Sequence, residues 1–93
     1  MDEIEIFYLR GCPYCENAKR AVAELLRTEP AYGALTLRWI EENEEKALAD
    51  SYDYYRVPSV FFEGDKLYEC SPRHGYGAIK AHLRAAFDQA LAS

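Results

Sequence analysis

The chain has 93 residues, of which 49% are hydrophobic and 14% aromatic, so it can form one folded domain over residues 1–93. Its net charge of -5, with no basic run longer than Lys19-Arg20, disfavours nucleic-acid binding, which needs a basic face. No apolar stretch approaches the ~18 residues of a membrane-spanning helix, and the acidic start is unlike a secretory signal. We therefore expect a cytoplasmic protein with no membrane or nucleic-acid partner.

The first half of the chain predicts a strand, a helix and a second strand. An apolar strand pattern over residues 3–9 leads into Gly11-Cys12-Pro13-Tyr14-Cys15 and then into a helical pattern that continues to about Thr28. Proline suits the first turn of a helix, because its missing N–H would have no partner there. Apolar residues then alternate over 35–39, which predicts a half-buried second strand.

The second half predicts a short helix, a hairpin and a last helix. Asn43 is expected to cap the short helix, which continues to Tyr52, and the acidic run over 41–45 is interpreted as its solvated start. The following patterns predict strands over 57–62 and 67–70 and a helix over 76–91. The order is β-α-β-α-β-β-α, in which the first two strands are parallel and the last two form an antiparallel hairpin.

Two cysteines at a strand-to-helix junction indicate redox or metal chemistry. The start of a helix carries unpaired N–H groups and the positive end of the helix dipole, which should favour the thiolate form of Cys12. Arg10 is expected to add to this effect. Cys15, one turn further on, is predicted to be more buried and to act as the resolving thiol. With Cys70 the chain has only three cysteines, which is not typical of a secreted disulfide framework.

The motif Cys12-Pro13-Tyr14-Cys15 resembles the dithiol active site of glutaredoxins. The resemblance implies a thioredoxin-like α/β fold with a four-stranded mixed sheet flanked by three helices. A second feature matches it, since Val57-Pro58 stands where that fold has a cis-proline opposite the cysteines. The residue before this proline pairs its backbone with the substrate. The resemblance and the local chemistry together suggest these substrate-binding residues: Arg10, Pro13, Tyr14, Arg56, Val57 and Pro58.

Three positions depart from the glutaredoxin pattern. Leu9 stands where glutaredoxins commonly carry a basic residue that holds a glutathione carboxylate. Arg56 replaces the usual threonine before Val-Pro. The stretch from Tyr68 to Ser71 replaces a Gly-Gly pair, so Glu69 is expected to bring a carboxylate towards an anionic ligand, with Arg56 offsetting it.

The resemblance implies a thiol–disulfide oxidoreductase that transfers electrons through a redox-active Cys12/Cys15 centre. Its substrates would be protein disulfides or glutathione mixed disulfides, and glutathione or another low-molecular-weight thiol would be the co-substrate. We expect a monomer that needs no metal or organic cofactor. Two alternatives stay open: a thioredoxin-like reductase recharged by a flavin enzyme, and a metal-binding or carrier module that uses the cysteines and His74.

Overall fold

A computed structural model describes residues 3–93 and contains the predicted order of helices and strands. The elements are β1 (Glu3–Tyr8), α1 (Pro13–Thr28), a 3₁₀ helix (Pro30–Ala34), β2 (Thr36–Glu41), α2 (Lys46–Asp50), β3 (Ser59–Phe62), β4 (Asp65–Glu69) and α3 (Tyr76–Ala92). The short 3₁₀ helix is the one addition to the predicted order. Over this described range, no helix has both the length and the apolar character needed to cross a membrane.

The four strands form one mixed sheet in the order β2-β1-β3-β4. Strand β1 is parallel to β2 and antiparallel to β3, and β3 is antiparallel to β4. The register pairs Tyr8 with Glu41, Phe7 with Ser59, and Ser59 with Glu69. One end of the sheet is therefore formed by the last residues of β1, β2 and β4 and the first residue of β3. The cysteine motif follows β1 at this end of the sheet.

Each face of the sheet carries its own apolar core. Because side chains alternate along a strand, Ile4 and Ile6 point to one face of β1 and Phe7 points to the other. On the first face, helices α1 and α3 pack against each other and against the sheet, and all of Leu25, Leu83 and Phe87 are buried there. On the second face, Phe7 packs with a smaller group that includes Ile40, Ala49 and Phe61. The fold class predicted from the sequence is confirmed.

The predicted cap of the short helix is wrong. Helix α2 begins at Lys46, and the residues before it form turns rather than helix. The Asn43 side chain does not cap it; instead the Glu41 carboxylate accepts the N–H groups of Asn43 and Glu44. The Glu41 side chain, at the end of β2, thus accepts the N–H groups that were expected to lie at the start of the helix.

The hairpin strands also differ from their predicted bounds. Strand β3 starts at Ser59 rather than at residue 57, because Pro58 has no N–H to donate to the sheet. Strand β4 starts earlier than predicted, at Asp65, because the turn needs only two residues. These are Glu63 and Gly64, whose φ angles of 53° and 86° are those of a tight hairpin turn.

Candidate redox site

The cysteine motif lies where β1 turns into α1. Gly11 has a φ of 81°, in the left-handed region that favours glycine, and this turn brings the chain into the helix. Cys12 is the N-cap residue of α1 and is half-buried, and Pro13 occupies the first helical position as predicted. The Cys12 N–H donates to the Leu9 carbonyl at 3.3 Å, which closes the turn. Cys12 therefore lies at the N-terminus of helix α1.

Cys15 is fully buried, with 0% of its surface exposed. The Leu9 N–H donates to its Sγ atom at 3.5 Å, and the Cys12 thiol lies close enough to influence its pKa. Burial is the largest influence and raises the pKa of Cys15 to about 12. Cys15 therefore keeps its proton at neutral pH, whereas Cys12 is the cysteine of the pair that solvent can reach.

The opposite wall of the site is the segment before β3. The Val57–Pro58 peptide bond is cis, as predicted, and Pro58 is fully buried. A small pocket of about 40 Å³ opens beside it. Its lining brings together three of the predicted substrate-binding residues and three residues that follow β4: Tyr14, Arg56, Val57, Cys70, Ser71 and Pro72.

Two contacts hold the remaining side of this pocket. The Tyr14 hydroxyl donates to the Pro72 carbonyl at 3.0 Å, so the motif's aromatic ring is tied to the loop after β4. The Cys70 N–H donates to the Pro58 carbonyl at 3.0 Å. Only 3% of Cys70 is exposed, and burial raises the pKa of its thiol. Cys70 is thus a packed thiol beside the site, as expected of a small apolar residue at a strand end.

Glu41, at the end of β2, is a site residue that the sequence interpretation missed. Only 5% of it is exposed, so the prediction of a solvated acidic run is wrong at this position. Its carboxylate accepts the N–H of Arg10 at 2.9 Å, and two further N–H groups from the turn after β2. The hydrogen bond from the Arg10 N–H has the largest effect and lowers the pKa of Glu41. The other two N–H groups act in the same direction, and together they outweigh burial, which raises it. The alternation of Leu37 and Trp39 extends to residue 41 and could have indicated an inward side chain.

The two arginines near the site have different surroundings. The Arg10 guanidinium donates from Nε to Glu44 Oε2 at 3.0 Å, on the exposed surface beside β2. Arg56 lines the pocket together with Val57, and its charge acts on the Cys70 thiol there. Within residues 3–93, the Arg56 guanidinium forms no ion pair. Arg56 is therefore the cation at the pocket, and the charge of Arg10 is shared with Glu44.

The proposed metal ligands are not gathered by the fold. In the described part of the chain, no three side chains of the Cys, His, Asp and Glu types are placed to hold one ion. The Nδ1 atom of His74 lies 2.8 Å from the Tyr68 hydroxyl, and its ring stacks on that of His82 with 4.8 Å between the ring centroids. The geometry gives the metal-binding alternative no support.

Comparisons with known proteins identify the family of the chain. No protein-family model matches the chain. A thioredoxin from Methanocaldococcus jannaschii is 33% identical over 63 residues, which are 68% of this chain and 72% of that protein. The chain belongs to the thioredoxin family.

Two solved structures share its fold at lower identity. A mutant thioredoxin from Halobacterium salinarum NRC-1 has a TM-score of 0.58 and 22% identity, covering 90% of this chain and 73% of its own. A malarial protein has a TM-score of 0.63 and 14% identity, covering 91% of this chain and 96% of its own.

Membership of the thioredoxin family indicates the reaction class. A thioredoxin-family chain with two cysteines at the start of a helix, one half-buried and one fully buried, is suited to thiol–disulfide exchange. The indicated activity is that of a thiol–disulfide oxidoreductase. This is coarser than the resemblance to glutaredoxins, because the matched relatives do not distinguish glutathione from other electron donors.

Proposed function

We propose that this chain is a glutaredoxin-like thiol–disulfide oxidoreductase, which reduces protein disulfides or glutathione mixed disulfides. The observation that carries the proposal is the unequal pair of cysteines. Cys12 caps α1 where solvent can reach it, and Cys15 is buried with a raised pKa. Such a pair separates the attacking thiol from the resolving thiol.

In the first step, the Cys12 thiolate attacks one sulfur of the substrate disulfide. A Cys12–substrate disulfide forms, and the other substrate sulfur leaves as a thiolate that takes up a proton. Cys15 then loses its proton and attacks the Cys12 sulfur, which expels the second substrate thiol. The substrate gains two electrons and two protons, and the protein is left with a Cys12–Cys15 disulfide. Because burial keeps Cys15 protonated, it does not compete with Cys12 for substrate.

Glutathione, or another low-molecular-weight thiol, returns the two electrons in this proposal. Support comes from Arg56, which lines the pocket beside Val57 and carries a guanidinium that can attract a carboxylate. The Glu69 carboxylate is already occupied by Lys66 and by two backbone N–H groups, which reduces its repulsion of an anionic ligand. The proposal further includes a cytoplasmic monomer that requires no resident metal or organic cofactor.

A thioredoxin-like electron donor is the second candidate, and the Methanocaldococcus jannaschii relative favours it. In this case a flavin-dependent reductase would recharge the oxidised protein. The test supplies each donor separately, with NADPH consumption as the readout: glutathione with glutathione reductase, or thioredoxin reductase alone. We expect turnover with glutathione. Fast turnover with thioredoxin reductase and none with glutathione would establish the second candidate instead.

The roles of the two cysteines are tested by serine variants. Cys12→Ser should abolish disulfide reduction, because no other thiol of the pair reaches solvent. Cys15→Ser should retain reduction of glutathione mixed disulfides, since a second glutathione can release the product from Cys12. The measurement is the steady-state rate with a glutathionylated peptide. Wild-type activity in Cys12→Ser would overturn the assignment of the nucleophile.

A further inference from the structure

The carboxylate of Glu69 ties β4 to the segment that precedes the cis-proline. Its Oε2 atom accepts the N–H of Tyr55 at 2.9 Å and the N–H of Arg56 at 2.8 Å. Its Oε1 atom accepts from Lys66 at 2.7 Å. Burial raises the pKa of Glu69, but Lys66 and the two N–H groups outweigh it, so that the pKa is lowered. Glu69 is therefore an ionised acceptor for two consecutive backbone groups at neutral pH.

The segment before Pro58 depends on Glu69, which accepts the N–H groups of Tyr55 and Arg56. Residues 53–58 contain neither helix nor strand, and Tyr55 is 91% exposed. The Ser59 hydroxyl donates to the Arg56 carbonyl, which fixes the next peptide group from the opposite direction. The position of the Arg56 peptide is thus set mainly by two side chains, one of which is Glu69.

Arg56 immediately precedes Val57, whose backbone is available for pairing. Between Glu3 and Ser93, neither the N–H nor the C=O of Val57 is paired with another backbone group. Such an unpaired edge can accept an extended peptide as an added strand. Because a peptide unit is planar, holding Arg56 at both its N–H and its C=O also limits where the N–H of Val57 can lie.

We propose that Glu69 is a positioning residue that holds the unpaired Val57 backbone in place for a peptide disulfide substrate. The inference rests on the proposed disulfide-reducing function, which it extends to the substrate class. Substrates with a peptide backbone beside the disulfide use this edge, whereas small disulfides without amide groups do not. Loss of Glu69 should therefore affect the two substrate classes differently.

The experiment is single-turnover oxidation of the reduced protein, which needs no electron donor. The oxidants are a short disulfide-linked peptide and bis(2-hydroxyethyl) disulfide. For Glu69→Ala we expect the bimolecular rate with the peptide to fall roughly ten-fold, because a displaced backbone edge loses productive alignment. The rate with the small disulfide should change less than about two-fold, since Cys12 and its helix are untouched.

Two further variants separate positioning from loss of charge or fold. Glu69→Gln keeps an oxygen that can accept both N–H groups and should restore most of the peptide rate. Lys66→Met removes the ion pair but leaves both backbone contacts, and it should react like wild type. Amide hydrogen exchange provides a readout that does not depend on activity, because the Tyr55 and Arg56 N–H groups should lose protection in Glu69→Ala alone.

The outcomes distinguish the two proposals. If the wild-type protein reacts with neither disulfide, the proposed function fails. If the wild type reacts with both, but Glu69→Ala lowers both rates equally or neither, the positioning role of Glu69 is refuted. Unchanged exchange of the Tyr55 and Arg56 amides in Glu69→Ala would refute it as well.

Discussion

The two loops that form the site are held in the same way, by a glutamate carboxylate that accepts backbone N–H groups. The two glutamates lie on the opposite edge strands of the sheet, β2 and β4. On one side, Glu41 at the end of β2 accepts the N–H of Arg10, just before Cys12. On the other side, Glu69 at the end of β4 accepts the N–H groups of Tyr55 and Arg56, just before Val57. Each loop lacks regular structure, and each obtains a hydrogen-bond acceptor from the last residue of an edge strand.

The two carboxylates differ in their burial. Glu41 is 5% exposed and has three backbone donors, whereas the Glu69 side chain is 21% exposed and shares its charge with Lys66. The backbone hydrogen bonds to Glu41 are part-buried and those to Glu69 are exposed, so water can replace a lost acceptor more easily at Glu69 than at Glu41. We therefore expect Glu41 to contribute chiefly to the stability of the thiol loop, and Glu69 to the position of the proposed docking edge.

The largest expected effect is the loss of stability in Glu41→Ala. Three N–H groups lose their acceptor, and we expect the melting temperature to fall by roughly 10 °C. Glu69→Ala should lower it by less than about 5 °C, because its partners lie nearer to solvent. Thermal unfolding followed by circular dichroism measures both. The matched control is Glu45→Ala, which removes an exposed ion pair with Arg38. It should change the melting temperature by less than about 2 °C. Equal losses for Glu41→Ala and Glu69→Ala would contradict the comparison.

Acid should remove the contribution of Glu41. Its hydrogen bonds lower its pKa below the ordinary value of 4.5, so the folded state favours the ionised form. The stability that results is fully present above pH 4.5 and is lost as the pH falls through the lower, folded-state pKa. The melting-temperature difference between wild type and Glu41→Gln should therefore shrink on acidification from neutral pH. Other carboxyl groups titrate in both proteins and cancel in this difference. A constant difference down to pH 2 to 3, roughly, would show that the Glu41 charge does not stabilise the loop.

The smallest expected effect distinguishes the arginines of the two loops. Arg56→Ala should raise the Michaelis constant for a glutathionylated peptide roughly five-fold, because the pocket loses its cation. Arg10→Ala should change it by less than about two-fold, since Glu44 already holds that guanidinium on the surface. Added salt should weaken the Arg56 effect. A larger effect at Arg10 than at Arg56 would place the anionic part of the substrate at the other loop.

The local elements of the site could be predicted from short stretches of sequence. The strand pattern over 3–9, the proline after Cys12 and the helical spacing to Thr28 indicate a thiol at the start of a helix. Each of these features depends on neighbours in the chain, and for this reason periodicity and helix-capping rules are sufficient to find them. The short helix was mispredicted at Asn43, because a tertiary contact from Glu41 decided the conformation of the turn.

The sequence alone determined the position of the reactive cysteines, the order of strands and helices, and the resemblance that placed a cis-proline at residue 58. Only the tertiary structure decided which charges act on the site. Glu41 and Glu69 lie 28 residues apart and belong to opposite edge strands, yet the register of the sheet brings both strand ends to the cysteine motif. The partners that tie them to the two loops are backbone N–H groups, which carry no residue-specific signal in the sequence. Similarly, Arg10 and Arg56 differ in availability because one of them meets Glu44 in the folded protein.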